Sequence, residues 1–397
     1  MDDILAVDPP PAGADIRRLI NLGPFVQSNA LSFFHLSSPD LLFGFDADPA
    51  VRHIIGVAQE NPQLAGDGIA LRKWGQQIIE RLGGKRIHPG GVIPGGVADP
   101  LTEEVRDAIL AGVPEALEQV ERTIGWYKSK MMGWEEEASH FGDFRSAFMS
   151  LVDEDGNVDH YGGHLRFVDA DGSVLEDRVD PRDFNDYIGE AVEPWSYLKS
   201  TYYKPMGYPD GIYRVGPLAR MNVAEACGTP RADEELKKFR WRVGRVASSS
   251  FHQHYARLID LLHCVEKIDQ ILRKPEIMSK HVTATAGINR NEGIGCSEAP
   301  RGTLMHHYRV DDNGLVEWAN LVIATGHNNM AMNRSVAQVA RAYVKGDKIE
   351  EPMLKRVEAV IRSYAPGLSC STHSLGDMAL DIQLLSPDGE VIDRVKR

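Results

Sequence analysis

The sequence is short of cysteine and of long apolar runs, and each shortage excludes a class of protein. Four cysteines occur among 397 residues, and none of them forms a C-x-x-C pair. Isolated cysteines in an acidic chain are expected to be reduced thiols rather than a disulfide framework. Because no run of about 18 apolar residues is present, no membrane span is predicted. The first residues lack the basic and apolar regions of a Sec-type signal peptide, so none is expected.

Net charge disfavours further classes of partner, and hydrophobic content indicates how large a core the chain can form. The formal net charge is −13, which disfavours nucleic acid and anionic membranes as partners because like charges repel. Hydrophobic residues make up 43% of the chain, which is enough for a large core. No linker separates distinct units. A single domain is therefore predicted over residues 1–397, with its most irregular section at residues 153–210.

Apolar residues recur at helical spacing through most of the chain, which predicts a predominantly helical α+β fold. Pro39 is expected to stop the first helix, and Asp99-Pro100 to start the third as N-cap and first helical residue. The expected helices cover residues 15–37, 67–82, 99–130, 232–274 (as one helix or two), 334–344 and 352–364.

Three β-hairpins are predicted at the periphery of this helical core. Asp-Gly and Asn-Gly steps between short apolar runs supply the positive φ that tight turns need. The predicted strand pairs are residues 164–169 with 173–177, 305–310 with 316–323, and 379–385 with 391–395.

The segment from Gly83 to Val97 is dense in glycine and proline. Such density lets the backbone approach another group closely. A turn-rich loop that binds nothing explains the same composition. The segment lacks the Lys-Ser/Thr ending of a phosphate-binding loop, so that function is excluded.

Three other segments place polar side chains next to regular elements. Arg301, between Pro300 and Gly302, precedes a predicted strand, and its guanidinium is placed either to bind an anion in a pocket or to form a surface salt bridge. The polar stretch Ala324–Asn333 precedes a helix, which favours capping over the ordering of a site. Cys370 and His373 have the spacing of two metal ligands, but a buried free cysteine explains Cys370 as well.

Taken in order, these segments resemble the large (alpha) subunit of [NiFe] hydrogenases, and most closely the cytoplasmic, bidirectional, NAD-reducing type. The resemblance covers essentially the whole chain. It implies a large helical core with peripheral β-hairpins, in a fold related to a subunit of respiratory complex I. The segments that carry it are Gln27–Leu36, His88–Gly96, Val215–Asn222, Ala299–His306 and Leu368–His373.

The resemblance also implies a site and partners. In the family, two C-x-x-C pairs hold nickel, with one cysteine of each pair bridging to iron. Cys370 is implied as a bridging ligand, His373 as a ligand of magnesium (or iron), and Arg301 as the catalytic guanidinium over the open metal position. The implied activity is that of a hydrogen:NAD oxidoreductase. The implied partners are a flavin and NAD diaphorase module and an iron–sulfur small subunit, in the cytoplasm.

The C-terminal motif departs from the family pattern Asp-Pro-Cys-x-x-Cys-x-x-His. Gly367 stands where the terminal nickel cysteine is expected, and Ala365 where the aspartate is expected. The N-terminal cysteine pair is expected ahead of Met1, and residues 374–397 correspond to the extension that relatives lose after nickel insertion.

Nickel at such a site depends on soft thiolate donors. The sequence therefore predicts that this chain, as it stands, lacks the Ni–Fe pair and the activity. The alternative is a non-catalytic, metal-free scaffold subunit of a hydrogenase-like or complex I-like electron-transfer assembly.

Overall fold

Helices dominate the computed structural model, which describes residues 1–196, 198–366 and 381–396. The predicted α+β class with a predominantly helical core is confirmed. A π-helical turn, Leu31–Ser37, connects the second helix to the third. The α-helices span Asp2–Leu5 (α1), Pro11–Ala30 (α2), Ser38–Phe43 (α3), Ile54–Glu60 (α4), Pro62–Gly83 (α5), Glu103–Leu110 (α6), Val113–Met131 (α7), Glu135–His140 (α8), Phe184–Tyr187 (α9), Pro217–Val223 (α10), Pro230–Val243 (α11), Gln253–Leu272 (α12), Ala324–His327 (α13), Asn329–Tyr343 (α14) and Glu351–Tyr364 (α15).

The strands form small, separate sheets. A four-stranded sheet has the order β5-β4-β3-β8 and a three-stranded sheet the order β11-β10-β9, while β1–β2, β6–β7 and β12–β13 form antiparallel pairs. The three predicted hairpins are confirmed as β4–β5, β10–β11 and β12–β13, although residues 379 and 380 of the third lie outside the described residues. The strands span Val92–Ile93 (β1), Gly96–Val97 (β2), Ala147–Val152 (β3), His164–Val168 (β4), Val174–Val179 (β5), Ile188–Ala191 (β6), Ser200–Tyr203 (β7), Tyr213–Arg214 (β8), Glu292–Ala299 (β9), Gly302–Val310 (β10), Val316–Val322 (β11), Asp381–Leu385 (β12) and Val391–Lys396 (β13).

Helix α12 is the centre of the main core. It packs against α2, α7, α10 and α11, and its side chains are buried on all faces. Buried faces all round are typical of a helix inside a large protein. A second, smaller core lies between the β3–β4 and β10–β11 strand pairs. Among the described residues, no helix combines the length and apolarity needed to cross a bilayer.

Two helix boundaries differ from the predictions. Pro39 does not stop a helix, because it lies in the first turn of α3, where its missing N–H is not needed. The helix expected from Asp99-Pro100 starts instead at Glu103, where the Thr102 side chain accepts a hydrogen bond from Val105 N. It ends before Gly112, so that α6 and α7 replace one long helix.

The section predicted to be irregular, residues 153–210, holds the short strands β4 to β7 and helical turns of three or four residues. The assignment of the whole chain to one domain stays a prediction.

Candidate active site

Arg301 lies in the tight turn between β9 and β10. Ala299 pairs with Gly302 across this turn, which leaves Pro300 and Arg301 as its central residues. The Nε of Arg301 donates a hydrogen bond to the carbonyl oxygen of Ala365, the residue that follows α15. The structure thus brings the predicted catalytic arginine to the start of the C-terminal motif.

Two glycines fix the backbone of this turn. A Cβ on Gly216 would lie 2.8 Å from the carbonyl oxygen of Arg301, and a Cβ on Gly302 would lie 2.2 Å from Cγ2 of Val215. Their φ angles are 102° and 136°, which side chains disfavour. The stretch that contains Gly216 and the stretch that contains Arg301 therefore interlock through their backbones.

Asn328 holds the same stretch from the other side. Its Oδ1 accepts a hydrogen bond from Val215 N at 2.9 Å, and its Nδ2 donates one to Val215 O at 3.2 Å. Its side chain makes no capping bond to α14. The capping interpretation of Ala324–Asn333 is therefore wrong for Asn328, because the amide orders the backbone beside Arg301 instead.

The last turn of α15 is held from several sides just before the C-terminal motif. Arg257 donates from Nη2 to Ser363 O at 2.8 Å. The Tyr364 hydroxyl lies 2.7 Å from Ser250 Oγ and 2.8 Å from Ser335 Oγ. Gly367, Cys370 and His373 lie outside the described residues, so the ligand roles of Cys370 and His373 stay predictions.

A buried ionic network lies next to this turn. The Arg220 side chain is fully buried and pairs with Glu298 at 2.6 Å and with Asp260 at 2.8 Å. Asp260 also accepts hydrogen bonds from His160 Nε2 and Asn29 Nδ2, both at 3.0 Å. Because Arg220 also donates to the carbonyl oxygens of the β9–β10 turn, the network braces the backbone that carries Arg301.

The network keeps its charges. Burial by itself raises the pKa of Asp260, but the charge of Arg220 and the hydrogen bond to His160 outweigh burial and hold that pKa well below its usual range. The two carboxylates likewise raise the pKa of Arg220 despite its burial. A network in which every charge is paired rigidifies its surroundings.

His160, Asp260 and Cys264 form the one group of possible metal ligands that we find within the described residues. Their donor atoms lie within 4.8 Å of one another. The Arg220 guanidinium occupies both oxygens of Asp260, and a cation there repels a metal ion. Burial also raises the pKa of the Cys264 thiol well above its usual range, which opposes thiolate formation. This group does not fit a metal.

The glycine-rich loop between Gly83 and Val97 packs closely against the backbone of Val282 and Ala284. A Cβ on Gly95 would lie 1.9 Å from Ala284 O, and one on Gly96 would lie 2.0 Å from Val282 O. Arg17 donates from Nε to Gly96 O at 2.8 Å and from Nη2 to Ile93 O at 2.5 Å. These close approaches account for the glycines at positions 95 and 96 without a ligand.

Three of the four cysteines lie in the described part of the chain as free thiols. Cys227, Cys264 and Cys296 have thiols whose pKa burial raises well above its usual range. The sequence supplies one sulfur in the C-terminal motif, at Cys370, and none at Gly367.

Sequence reasoning missed the Asp260 network and the role of Arg257. The available signal was the presence of charged residues three positions apart in the apolar run of α12, because charges inside an apolar helix are almost always paired or functional. The partners of Asp260 come from α2, α10 and the loop before β4, which no local pattern indicates.

The helical core, the interlocked Arg301 turn and the C-terminal motif together define a hydrogenase large-subunit type of protein. The sequence profile described as nickel-dependent hydrogenase matches residues 165–373. The chain is 39% identical to the NAD-reducing hydrogenase HoxS subunit beta of Cupriavidus necator, over 98% of this chain and 81% of that protein. It is 40% identical to a subunit of the F420-non-reducing hydrogenase vhc of Methanococcus voltae, over 95% of this chain and 80% of that protein.

Comparison with solved structures also identifies hydrogenases as similar to this chain. A crystal structure of an NAD+-reducing [NiFe]-hydrogenase in the H2-reduced state superposes with a TM-score of 0.87 at 40% identity, over 92% of this chain and 81% of that chain. The Ni-Fe-Se hydrogenase of D. vulgaris Hildenborough has a TM-score of 0.71 at 22% identity, over 94% of this chain and 84% of that chain, which shows the shared fold. The chain belongs to the nickel-dependent hydrogenase family and is related to the large subunit of NAD-reducing hydrogenases. The family resemblance seen in the sequence is confirmed.

Proposed function

We propose that this chain is the large subunit of an NAD-reducing type of [NiFe] hydrogenase in which the nickel site is not assembled as the chain stands. The observation that carries the proposal is Gly367, which offers no donor atom where the family pattern has a nickel-binding cysteine. Nickel sites of this kind depend on soft thiolates, and Cys370 alone cannot replace the missing one.

The surroundings of the site support the assignment to a large subunit. Arg301 is held by the Gly216 contact and bonds to Ala365 O, which puts its guanidinium at the entrance to the C-terminal motif. A preorganised cation at that position suits stabilisation of a developing negative charge. The contact of Arg301 with Ala365 supports the proposal that the chain keeps the scaffold of a catalytic site and lacks one donor atom within it.

The proposed partners follow from relatives, whose names mark them as subunits of larger enzymes. We expect an iron–sulfur small subunit, and beyond it a flavin and NAD diaphorase module, in the cytoplasm. The interface with the small subunit should be large and apolar, as in obligate complexes.

A second candidate function is a metal-free scaffold in the same kind of electron-transfer assembly. Ala365 favours it, because alanine offers no carboxylate where the family pattern has an aspartate near the site. Restoring a thiolate separates the two candidates, since a scaffold whose site has changed in other ways does not regain nickel.

The test is nickel analysis of the purified complex, combined with hydrogen-dependent dye reduction. The unsubstituted chain, produced with its maturation proteins, should contain no stoichiometric nickel. Gly367→Cys, in a chain preceded by the Cys-x-x-Cys segment of the family, should gain nickel. Gly66→Cys is the matched control, because a side chain at this exposed glycine of α5 meets nothing within 4 Å.

Each outcome decides between the candidates. Stoichiometric nickel in the unsubstituted chain would refute the proposal that the site is not assembled. Nickel-free Gly367→Cys protein would refute a simple loss of one ligand and would favour the scaffold. Equal nickel in the Gly367→Cys and Gly66→Cys variants would mean non-specific binding. It would count against a ligand role for the cysteine introduced at position 367 and for Cys370.

A further inference from the structure

Arg257 is a buried cation with no carboxylate partner in the described part of the chain. It lies on α12 and is 2% exposed. Its Nη2 donates to Ser363 O at 2.8 Å, and its Nε has no hydrogen-bond partner. Arg220, which is equally buried, pairs with two carboxylates. The positive charge of Arg257 therefore lacks the compensation that its neighbour has.

The charged groups nearest to Arg257 do not neutralise it. Asp260, one turn further along α12, has its oxygens engaged by the buried ionic network. Arg301 approaches from the β9–β10 turn and binds the carbonyl of Ala365, two residues beyond the carbonyl that Arg257 binds. Burial, followed by the charge of Arg301, lowers the pKa of the Arg257 guanidinium to about 9. Arg257 is thus still a cation at neutral pH.

Burying a charge without a partner is strongly unfavourable. Most buried cations are neutralised by a carboxylate or by losing a proton. Among the described residues no carboxylate pairs with Arg257, and its guanidinium keeps its proton at neutral pH. A bound anion is the remaining means of neutralising the charge. We propose that the unpartnered Nε of Arg257 binds a small monovalent anion beside the C-terminal end of α15.

The surroundings select the class of anion. The carbonyl oxygens of Ser363 and Ala365 carry the negative end of the α15 dipole, and the first of them accepts the hydrogen bond from Arg257. A multiply charged oxyanion such as sulfate is disfavoured by that field. A halide, or a one-carbon carboxylate such as formate, carries a single negative charge and accepts hydrogen bonds from guanidinium N–H groups. This site does not depend on nickel or on the proposed function.

Bromide is a suitable probe because it scatters anomalously. In crystals of the full chain grown in sodium bromide, an anomalous peak is expected within hydrogen-bonding distance of Arg257 Nε. In solution, the thermal unfolding midpoint should rise by about 2 °C for each tenfold increase in bromide above its dissociation constant, relative to sodium gluconate of equal ionic strength.

Arg257→Met removes the charge and should abolish the bromide-dependent rise. Arg309→Met is the control, because Arg309 is an exposed residue of β10 whose guanidinium lies over the Trp318 ring of β11, and it should leave the rise intact. Equal midpoints in bromide and gluconate for the unsubstituted chain, or the same rise in Arg257→Met, would overturn the proposal. If Arg257→Met does not fold, the crystal decides: no peak at Arg257 refutes the site.

Discussion

Gly216 touches the turn that carries Arg301 through its backbone alone. A Cβ at position 216 would lie 2.8 Å from the carbonyl oxygen of Arg301, and the φ of Gly216 is 102°. Two independent features therefore exclude a side chain here: the left-handed backbone and the adjacent carbonyl. The contact lies in the Val215–Asn222 stretch, which explains in physical terms why this stretch and the Arg301 segment occur together.

We expect Gly216→Ala to destabilise the protein by about 2 kcal/mol or more, because a non-glycine residue in this conformation is strained and the Arg301 turn must shift. Urea unfolding measures the loss. Gly125→Ala is the control: a Cβ at this exposed position of α7 meets nothing within 4 Å. In an exposed helix interior, alanine should stabilise by about 0.5–1 kcal/mol. Equal effects of the two substitutions would contradict the proposed backbone contact.

We expect Asp260→Asn to destabilise the protein by about 3–5 kcal/mol at neutral pH, because it leaves the buried Arg220 with one carboxylate instead of two. The folded-state pKa of Asp260 lies below the unfolded value of 3.8. Its contribution is therefore complete above about pH 4 and is lost as the pH falls below that value. The difference between variant and wild type should shrink in acid.

Unfolding by urea between pH 7 and pH 3 tests this expectation. Asp381→Asn removes a carboxylate from the Asp381–Arg394 pair, in which both side chains are largely exposed, and it should change stability little at any pH. A loss at Asp260 no larger than the loss at Asp381 would show that the network does not stabilise the fold.

Much of the architecture follows from local pattern. The periodicity of α5, α11, α12, α14 and α15 is long and regular, and Asp-Gly or Asn-Gly turns identify the confirmed hairpins. The prediction that Pro39 stops a helix was wrong, because proline is as favourable in the first turn of a helix as it is after the end of one. Only the residues around it in space decide between the two.

The candidate site was predictable in part. Arg301 was identified because proline and glycine flank it, and the structure does place it in a tight turn. Asp260 was not identified, since its partners Arg220 and His160 are distant in sequence and meet it only through the packing of α12. The sequence favours capping for Asn328, because this residue precedes a helix. Its actual bond to Val215 joins residues that no local motif connects, so the sequence does not predict it.

Ala365 has φ 49° and ψ 51°, the left-handed conformation that often ends a helix and favours glycine. We expect Ala365→Gly to stabilise the protein by about 0.5–1 kcal/mol, because the strain relieved exceeds the added freedom of the unfolded chain. Its carbonyl bond to Arg301 is a backbone contact and is retained. Ala359→Gly, in the interior of the same helix, should destabilise it. Two changes of the same sign, measured by urea unfolding, would contradict this reading of the helix end.

His254 is expected to make the protein sensitive to mild acid. Burial, with the charges of Arg257 and Arg362, lowers the pKa of this imidazole to about 3, whereas an unfolded histidine titrates near 6.5. Unfolding below about pH 6.5 therefore takes up a proton at His254. The free energy of unfolding should fall with pH from about 6.5 towards 3, by up to about 1.4 kcal/mol per pH unit from this residue.

His254→Phe should flatten that slope, because phenylalanine takes up no proton and its ring can pack against Phe251 as the imidazole does, with the ring centroids 5.6 Å apart. The slope should not vanish, since burial also lowers the pKa of His252 to about 4 and that of His327 to about 3. Chemical unfolding at several pH values between 6.5 and 4.5 measures it. The exposed His281, changed to Gln, should leave the slope unchanged. If His254→Phe and His281→Gln keep the same slope, His254 is not the residue that takes up the proton.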